Sequence, residues 1–305
     1  MMIVMDTDKL ELLLKGTKYE AFSRFISPVE LKGHKYNNVY KIGNETLGYF
    51  ALKISENNEK PTLDTTCYTS PINDSEGFMH RYEDAIVKSG VKIMVSKWLN
   101  GVQPIDNGRE HLPNFFSSLA RLNKQNIAKG PYTSMYADGN YFDTASDLVN
   151  WEINYHKKYL QDMPEIDEVA NDEIVNAARI IERGLPCIIL EDMNTGNLIV
   201  TDDGKCKFLD TEWIMNGVNL YQFEKIDYFG FEERKWYNVN DEAQDCYTAY
   251  FEALGVKQGE ANEQIRAFEL LKVLRENTYL KYLGKCNNEE IARRLKIVMR
   301  KHDYV

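Results

Sequence analysis

Residues 190 to 213, LEDMNTGNLIVTDDGKCKFLDTEW, constrain the fold of this chain more than any other stretch. Two short apolar runs, residues 198–200 and 208–209, lie on either side of the turn formers Asp202, Asp203 and Gly204. That is the pattern of a β-hairpin. Its surroundings read differently. REHLPNFFSSLARLNKQN, ASDLVNWEINYHKKYLQDM and EIDEVANDEIVNAARIIERG precede it, each with apolar residues at i, i+3 and i+4 and a polar opposite face. Three more helical segments follow: DEAQDCYTAYFEALG, EANEQIRAFELLKVLRENTYLKYLG and NEEIARRLKIVMRKH. A hairpin embedded in a helical half leaves few architectures open.

The first hundred residues are β-rich. NNVYKIGNETLGYFALKIS gives two strand-like runs, residues 39–42 and 49–54, separated by Gly43, Asn44 and Gly48, and predicts a hairpin. ENNEKPTLDTTCYTSPINDS has no periodicity and predicts a loop. SEGFMHRYEDAIVKSG begins with a serine cap, places Phe78, Tyr82, Ala85 and Ile86 at helical spacing and stops at Gly90, which predicts a helix carrying Glu83. VKIMVSKWLNG predicts a further strand ending in a glycine turn. The expected architecture is α+β in two lobes: a small β-rich lobe over residues 1–97 and a larger helical lobe over residues 98–305.

Asp192, Asn197 and Asp210 stand at the ends of apolar runs: Asp192 after PCIIL, Asn197 before LIV, and Asp210 after KCKFL. All three side chains are therefore expected to leave from strand ends on one rim of a hairpin. The order of elements and these residues resemble the protein-kinase-like fold, and within it the aminoglycoside phosphotransferase and choline kinase family. That family's signature reads H-G-D-x-H-x-x-N followed by a strand ending I-D-W-E. Here the sequence is Leu190-Glu191-Asp192-Met193-Asn194-Thr195-Gly196-Asn197, then Phe208-Leu209-Asp210-Thr211-Glu212-Trp213. SLARLN looks like the family's L-A-x-L-H helix, with Asn123 where histidine is common.

The resemblance implies ATP- and Mg²⁺-dependent transfer of a γ-phosphoryl group to a small-molecule hydroxyl. Asp192 is then the base that accepts or orients the hydroxyl proton. Asn197 and Asp210 supply the hard oxygen ligands that Mg²⁺ prefers. Lys53, in YFALKI, is expected to reach the nucleotide phosphates, with Glu83 as its ion-pair partner and Glu76 as the fallback. An edge-strand lysine and a solvated helix glutamate are the plain readings of the same residues. In MVSKWLNG, backbone groups from Ser96 to Trp98 are expected to meet the adenine edge, with Trp98 equally readable as core.

Two departures from the family pattern stand out. Leu190 replaces the first histidine, and PVELKGHKYNNVYKIG holds only Gly33 before the strand, without G-x-G-x-x-G. They motivate the alternative of a catalytically weak kinase-fold nucleotide-binding protein. A protein Ser/Thr kinase is disfavoured, because no D-F-G or A-P-E element follows Asp210.

The formal net charge of −10 argues against a nonspecific nucleic-acid binder. Acids and aromatics of the helical half, among them Asp143, Glu152, Trp151 and Tyr155, suit an amino sugar, a sugar or a choline-like alcohol as acceptor, or belong to solvated faces and core. The five cysteines form no CxxC pair and the five histidines no HxxxH or HExxH, so no zinc site is expected. No apolar run has the ~18 residues a membrane span needs. The opening MMIVMDTDKLELLL lacks a basic n-region, and a cytoplasmic location is expected by default.

Overall fold

The computed structural model describes residues 6–29, 38–56, 72–104, 109–133, 139–158, 168–190, 193, 195–209, 214–223, 241–284 and 287–301. The predicted loop over 56–75 and the Gly33 segment lie largely outside them. Contacts divide the chain into two compact units. Met1–Ile72, Gly77–Arg109 and Thr195–Glu212 form the first, and Asn73–Glu76, Glu110–Asn194 and Trp213–Val305 the second. The boundary read between residues 97 and 98 falls inside the first unit.

The first unit is built on an antiparallel sheet of β1 (Ile26–Val29), β2 (Asn38–Asn44), β3 (Gly48–Glu56), β4 (Asp84–Lys88) and β5 (Val91–Lys97), in the order β1-β2-β3-β5-β4. Side chains alternate across such strands. Leu52, Ile54, Ile93 and Val95 therefore share one face, buried with Leu10, Leu13 and Leu14 of helix α1 (Thr7–Leu14). Each such side chain contributes about 1.5–3 kcal/mol when fully buried. Ala51, Lys53 and Ser96 belong to the other face, with Lys53 between Val39 of β2 and Met94 of β5.

A smaller sheet completes this unit, with β6 (Gly101–Val102), β8 (Leu198–Thr201) and β9 (Cys206–Phe208) in the order β6-β8-β9. The turn between β8 and β9 closes as the sequence predicts: Gly204 N–H donates to Thr201 C=O, and the Thr201 hydroxyl donates to Asp203 at 2.6 Å. At Gly101 a Cβ would sit 2.3 Å from Val200 C=O, so only glycine lets the chain after β5 approach β8 this closely.

The helix expected over residues 75–90 is not formed. Phe78 and Met79 run beside β9, where Phe208 N–H donates to Phe78 C=O and His80 N–H donates to Phe208 C=O. Residues 84–88 are strand β4, joined to β5 through Ser89 and Gly90, whose φ angles are +52° and +75°. Two consecutive positive φ values are the signature of a tight two-residue hairpin. The Ser-Gly pair that reads as a helix stop is thus the hairpin turn, and Glu83 precedes a strand instead of riding a helix.

The second unit holds six α-helices among the described residues: α2 (Leu112–Gln125), α3 (Ala145–Lys158), α4 (Glu168–Ile181), α5 (Asp241–Leu254), α6 (Gln258–Tyr282) and α7 (Asn288–Lys301). Each overlaps a predicted helical segment; five lie wholly within theirs, and α6 begins at Gln258, two residues before its segment. Phe223 is central to the core, stacked on Phe116 at 5.6 Å and tilted against Tyr247 at 4.5 Å. The run PCIIL forms β7 (Pro186–Leu190), which pairs antiparallel with β10 (Ile214–Val218) in a two-stranded sheet. The run PCIIL is thus not a strand of the β8–β9 hairpin; Asp192 and Asp210, on which the single-rim expectation rests, lie outside the described residues.

Candidate nucleotide site

A cavity of about 780 Å³, open solvent at its mouth included, lies within the first unit. Val29, Val39 and Ala51 line it from the five-stranded sheet, and Gly196, Asn197, Ile199 and Leu209 from around the β8–β9 hairpin. Residues 96–99, with His80 and Tyr82, complete the wall. The lining is largely apolar with few polar groups, as small-molecule sites are. Such a slot suits a flat aromatic base, and Lys53 adds a cation to one wall.

Local structure fixes each of these groups. Ser96 is buried and lies opposite Ala51 on β3. Trp98 N–H donates to Tyr49 C=O at 3.0 Å, which carries the sheet's hydrogen bonding one residue past β5. Lys41 Nζ lies 4.0 Å from the Tyr49 ring centroid and 4.8 Å from that of Trp98, so a cation holds the indole against the sheet. Trp98 is therefore a partly exposed wall of the cavity and not core.

Asn197 ends a turn of 3-10 helix (Thr195–Asn197), is 2 % exposed, and accepts the Leu209 N–H on its backbone oxygen at 2.8 Å. Gln103 donates to the neighbouring Gly196 C=O at 3.0 Å. The loop before β8 is thereby tied both to the residue after β9 and to the chain after β6.

Lys53, Ser96, Trp98 and Asn197 are thus brought together in one cavity. Glu83 donates its N–H to Val95 C=O, and its carboxylate pairs with Lys97 Nζ at 3.4 Å. Glu76, the fallback partner for Lys53, pairs with Arg121 at 2.5 Å in the second unit. Asp192 and Asp210 lie outside the described residues. Among the described residues no cluster of three or more His, Cys, Asp and Glu forms a metal site, and no helix is long and apolar enough to cross a membrane.

His80 and Tyr82 are the cavity residues that sequence reasoning missed. His80 Nε2 donates to Lys97 C=O at 2.7 Å. Nothing in the sequence marks His80, because its placement depends on residues 78–80 running beside β9.

In the second unit, Asn123 of α2 is fully buried. Its side-chain N–H donates to Ile188 C=O in β7 at 2.7 Å, and its oxygen accepts the Tyr250 hydroxyl at 2.7 Å. Ile188 N–H donates to Asn126 C=O at 3.2 Å. The edge of β7 that faces away from β10 is closed in this way, and β7 is the strand that leads to Asp192. Leu190 is buried at its end.

By sequence, the chain matches no family model and no curated protein. By structure, it is similar to a thermostable mutant of aminoglycoside phosphotransferase APH(4)-Ia in ternary complex with AMP-PNP and hygromycin B. That likeness has a TM-score of 0.58 at 13% identity and covers 96% of this chain and 98% of that one. Plasmodium vivax ethanolamine kinase gives 0.56 at 12% identity, over 97% and 89%. An aminoglycoside phosphotransferase from Alicyclobacillus acidocaldarius gives 0.56 at 12% identity, over 93% and 92%. The chain has the α+β, two-lobed protein-kinase-like fold, and these structural neighbours are small-molecule kinases.

Proposed function

We propose that this protein is a phosphotransferase that moves the γ-phosphoryl group of ATP to a hydroxyl of a small molecule, an amino sugar, sugar or choline-like alcohol. The observation that carries the reading is the single cavity that gathers Lys53, the backbone after Ser96 and Asn197 in a kinase-like fold. A nucleobase would fill the apolar slot, and Lys53 would meet the phosphates as a point charge.

Phosphoryl transfer asks the protein for positioning and charge neutralisation more than for covalent chemistry. Asp192 would hold the acceptor hydroxyl and take its proton. The strand before it is fixed by the Asn123 and Asn126 hydrogen bonds. Mg²⁺ fits the donor set of Asn197 and Asp210, an amide oxygen and a carboxylate, both hard ligands. The bond from Leu209 N–H to Asn197 C=O supports this assignment, because it joins Asn197 to the residue preceding Asp210. When bound, the ion would neutralise charge on the phosphate oxygens. The protein is proposed to act in the cytoplasm.

ATP with Mg²⁺ is expected to raise the melting temperature, and Asp210→Ala to abolish that rise. Absence of any shift in the parent at millimolar nucleotide would refute the nucleotide site. Asp192→Ala should keep the shift while stopping phosphorylation, so full turnover in that variant would exclude Asp192 as the base. A screen of amino sugars, sugars and choline for ADP release identifies the acceptor.

A further inference from the structure

Asn197 closes the turn Thr195–Asn197, and the peptide groups on either side of its Cα are each held by a hydrogen bond. On the C-terminal side, Asn197 C=O accepts the Leu209 N–H at 2.8 Å. On the N-terminal side, Gly196 C=O, which shares a peptide plane with the Asn197 N–H, accepts the side-chain N–H of Gln103 at 3.0 Å. Holding both planes fixes φ and ψ of Asn197, and with them the direction in which its side chain leaves the backbone. The first plane is the one that most needs holding. Residue 196 is a glycine, and without a Cβ its backbone leaves that peptide group freer to rotate.

Gln103 is itself placed by strand pairing. Gly101 pairs with Thr201 and Val102 with Val200, and the clash that any Cβ at Gly101 would make with Val200 C=O shows how closely β6 lies on β8. Gln103 is the next residue, half-buried, and its amide reaches back to the turn that precedes β8. Gly196 and Asn197 line the cavity, whereas Gln103 is not among its lining residues, so it acts on the cavity through the backbone of Asn197. Resting on the nucleotide and Mg²⁺ assignments proposed above, we infer that Gln103 is a positioning residue that holds the Asn197 carboxamide ready for the metal. A ligand group that must be ordered as the ion binds weakens binding, and the Gln103 bond does that ordering beforehand. It therefore strengthens the Mg²⁺-dependent part of nucleotide binding. The metal-free part, which the apolar slot and Lys53 supply, does not depend on it.

The test is calorimetric titration of ADP into the full-length protein, once with Mg²⁺ and once with EDTA, on the parent, Gln103→Met, Gln103→Ala and Gln103→His. Methionine keeps the length of the side chain and removes the donor, and alanine is a second donorless variant should the first fail to fold. In both, ADP affinity with Mg²⁺ should fall about three- to tenfold, the worth of one hydrogen bond, while affinity in EDTA stays within about twofold of the parent. A histidine kept neutral at about pH 8 offers an Nε2–H at a reach similar to the glutamine amide, so Gln103→His should restore the Mg²⁺ effect. Equal losses in both buffers, as a purely structural glutamine would give, or no loss in either, overturn the inference. So does a histidine variant that binds no better than the alanine one. A parent whose ADP affinity is indifferent to Mg²⁺ removes the metal role of Asn197, and this inference with it, while the base slot stands. A parent that binds no ADP in either buffer removes the nucleotide site itself.

Discussion

Replacing Asn123 by alanine removes two buried hydrogen bonds at once and leaves both partners in place. Ile188 C=O in β7 loses its side-chain donor and the Tyr250 hydroxyl loses its acceptor, each at a contact of 2.7 Å around a fully buried residue. An abandoned buried polar group costs about 1–3 kcal/mol, so the variant should lose roughly 3 kcal/mol in urea unfolding with an unchanged m value. Tyr250→Phe breaks only the second bond and should cost about 1–2 kcal/mol. In the double variant the hydroxyl is absent, so the two losses must fail to add by about 1 kcal/mol. The acceptor phosphorylation rate should also fall, since β7 leads to the proposed base. A loss below about 1 kcal/mol for Asn123→Ala, or strict additivity in the cycle, would refute the reasoning that this asparagine closes the strand edge.

Arg275 and Glu152 form an ion pair of 2.6 Å with both side chains almost wholly buried, the Tyr221 hydroxyl donating to the same carboxylate. Arg275→Met should cost about 3–5 kcal/mol in urea unfolding by stranding the carboxylate, and adding Glu152→Gln should recover much of that. Burial, and then the Arg275 charge, push the His156 pKa down to about 3. The folded protein thus holds His156 neutral while the unfolded chain takes up a proton below about pH 6.5, so stability should fall by about 1.4 kcal/mol per unit as pH drops through that window. His156→Phe should flatten the slope by about that amount between pH 6 and 5, and identical slopes in parent and variant would contradict it.

The sequence made some elements plain and hid others for definite reasons. The β2–β3 hairpin and Lys53 were legible because turn residues bracket alternating apolar runs, and the helices because their apolar stripes repeat over several turns. β4 was hidden because Phe78, Tyr82, Ala85 and Ile86 fit helical spacing equally well. What decides is pairing, of Phe78 and Met79 with β9 and of residues 84–88 with β5. β10 was hidden for another reason: IMNGV has an asparagine and a glycine at its centre, and only β7 alongside makes it a strand. Asn197 was legible from its place before LIV. His80 was not, because its role arises from a carbonyl contributed by the far end of β5.

The glycine contact between Gly101 and Val200 has a consequence for synthesis of the chain. The first unit is discontinuous: its β6 strand and the Phe78–Met79 segment have their partners in residues 195–212. At about 5–20 residues per second, the hairpin emerges from the ribosome roughly five to twenty seconds after Arg109. For that interval the five-stranded sheet exists without the floor of its cavity. A fragment ending at Arg109 would stay in that condition permanently, so the cavity should be recovered only by supplying the hairpin residues in trans or by permuting the chain to make them contiguous.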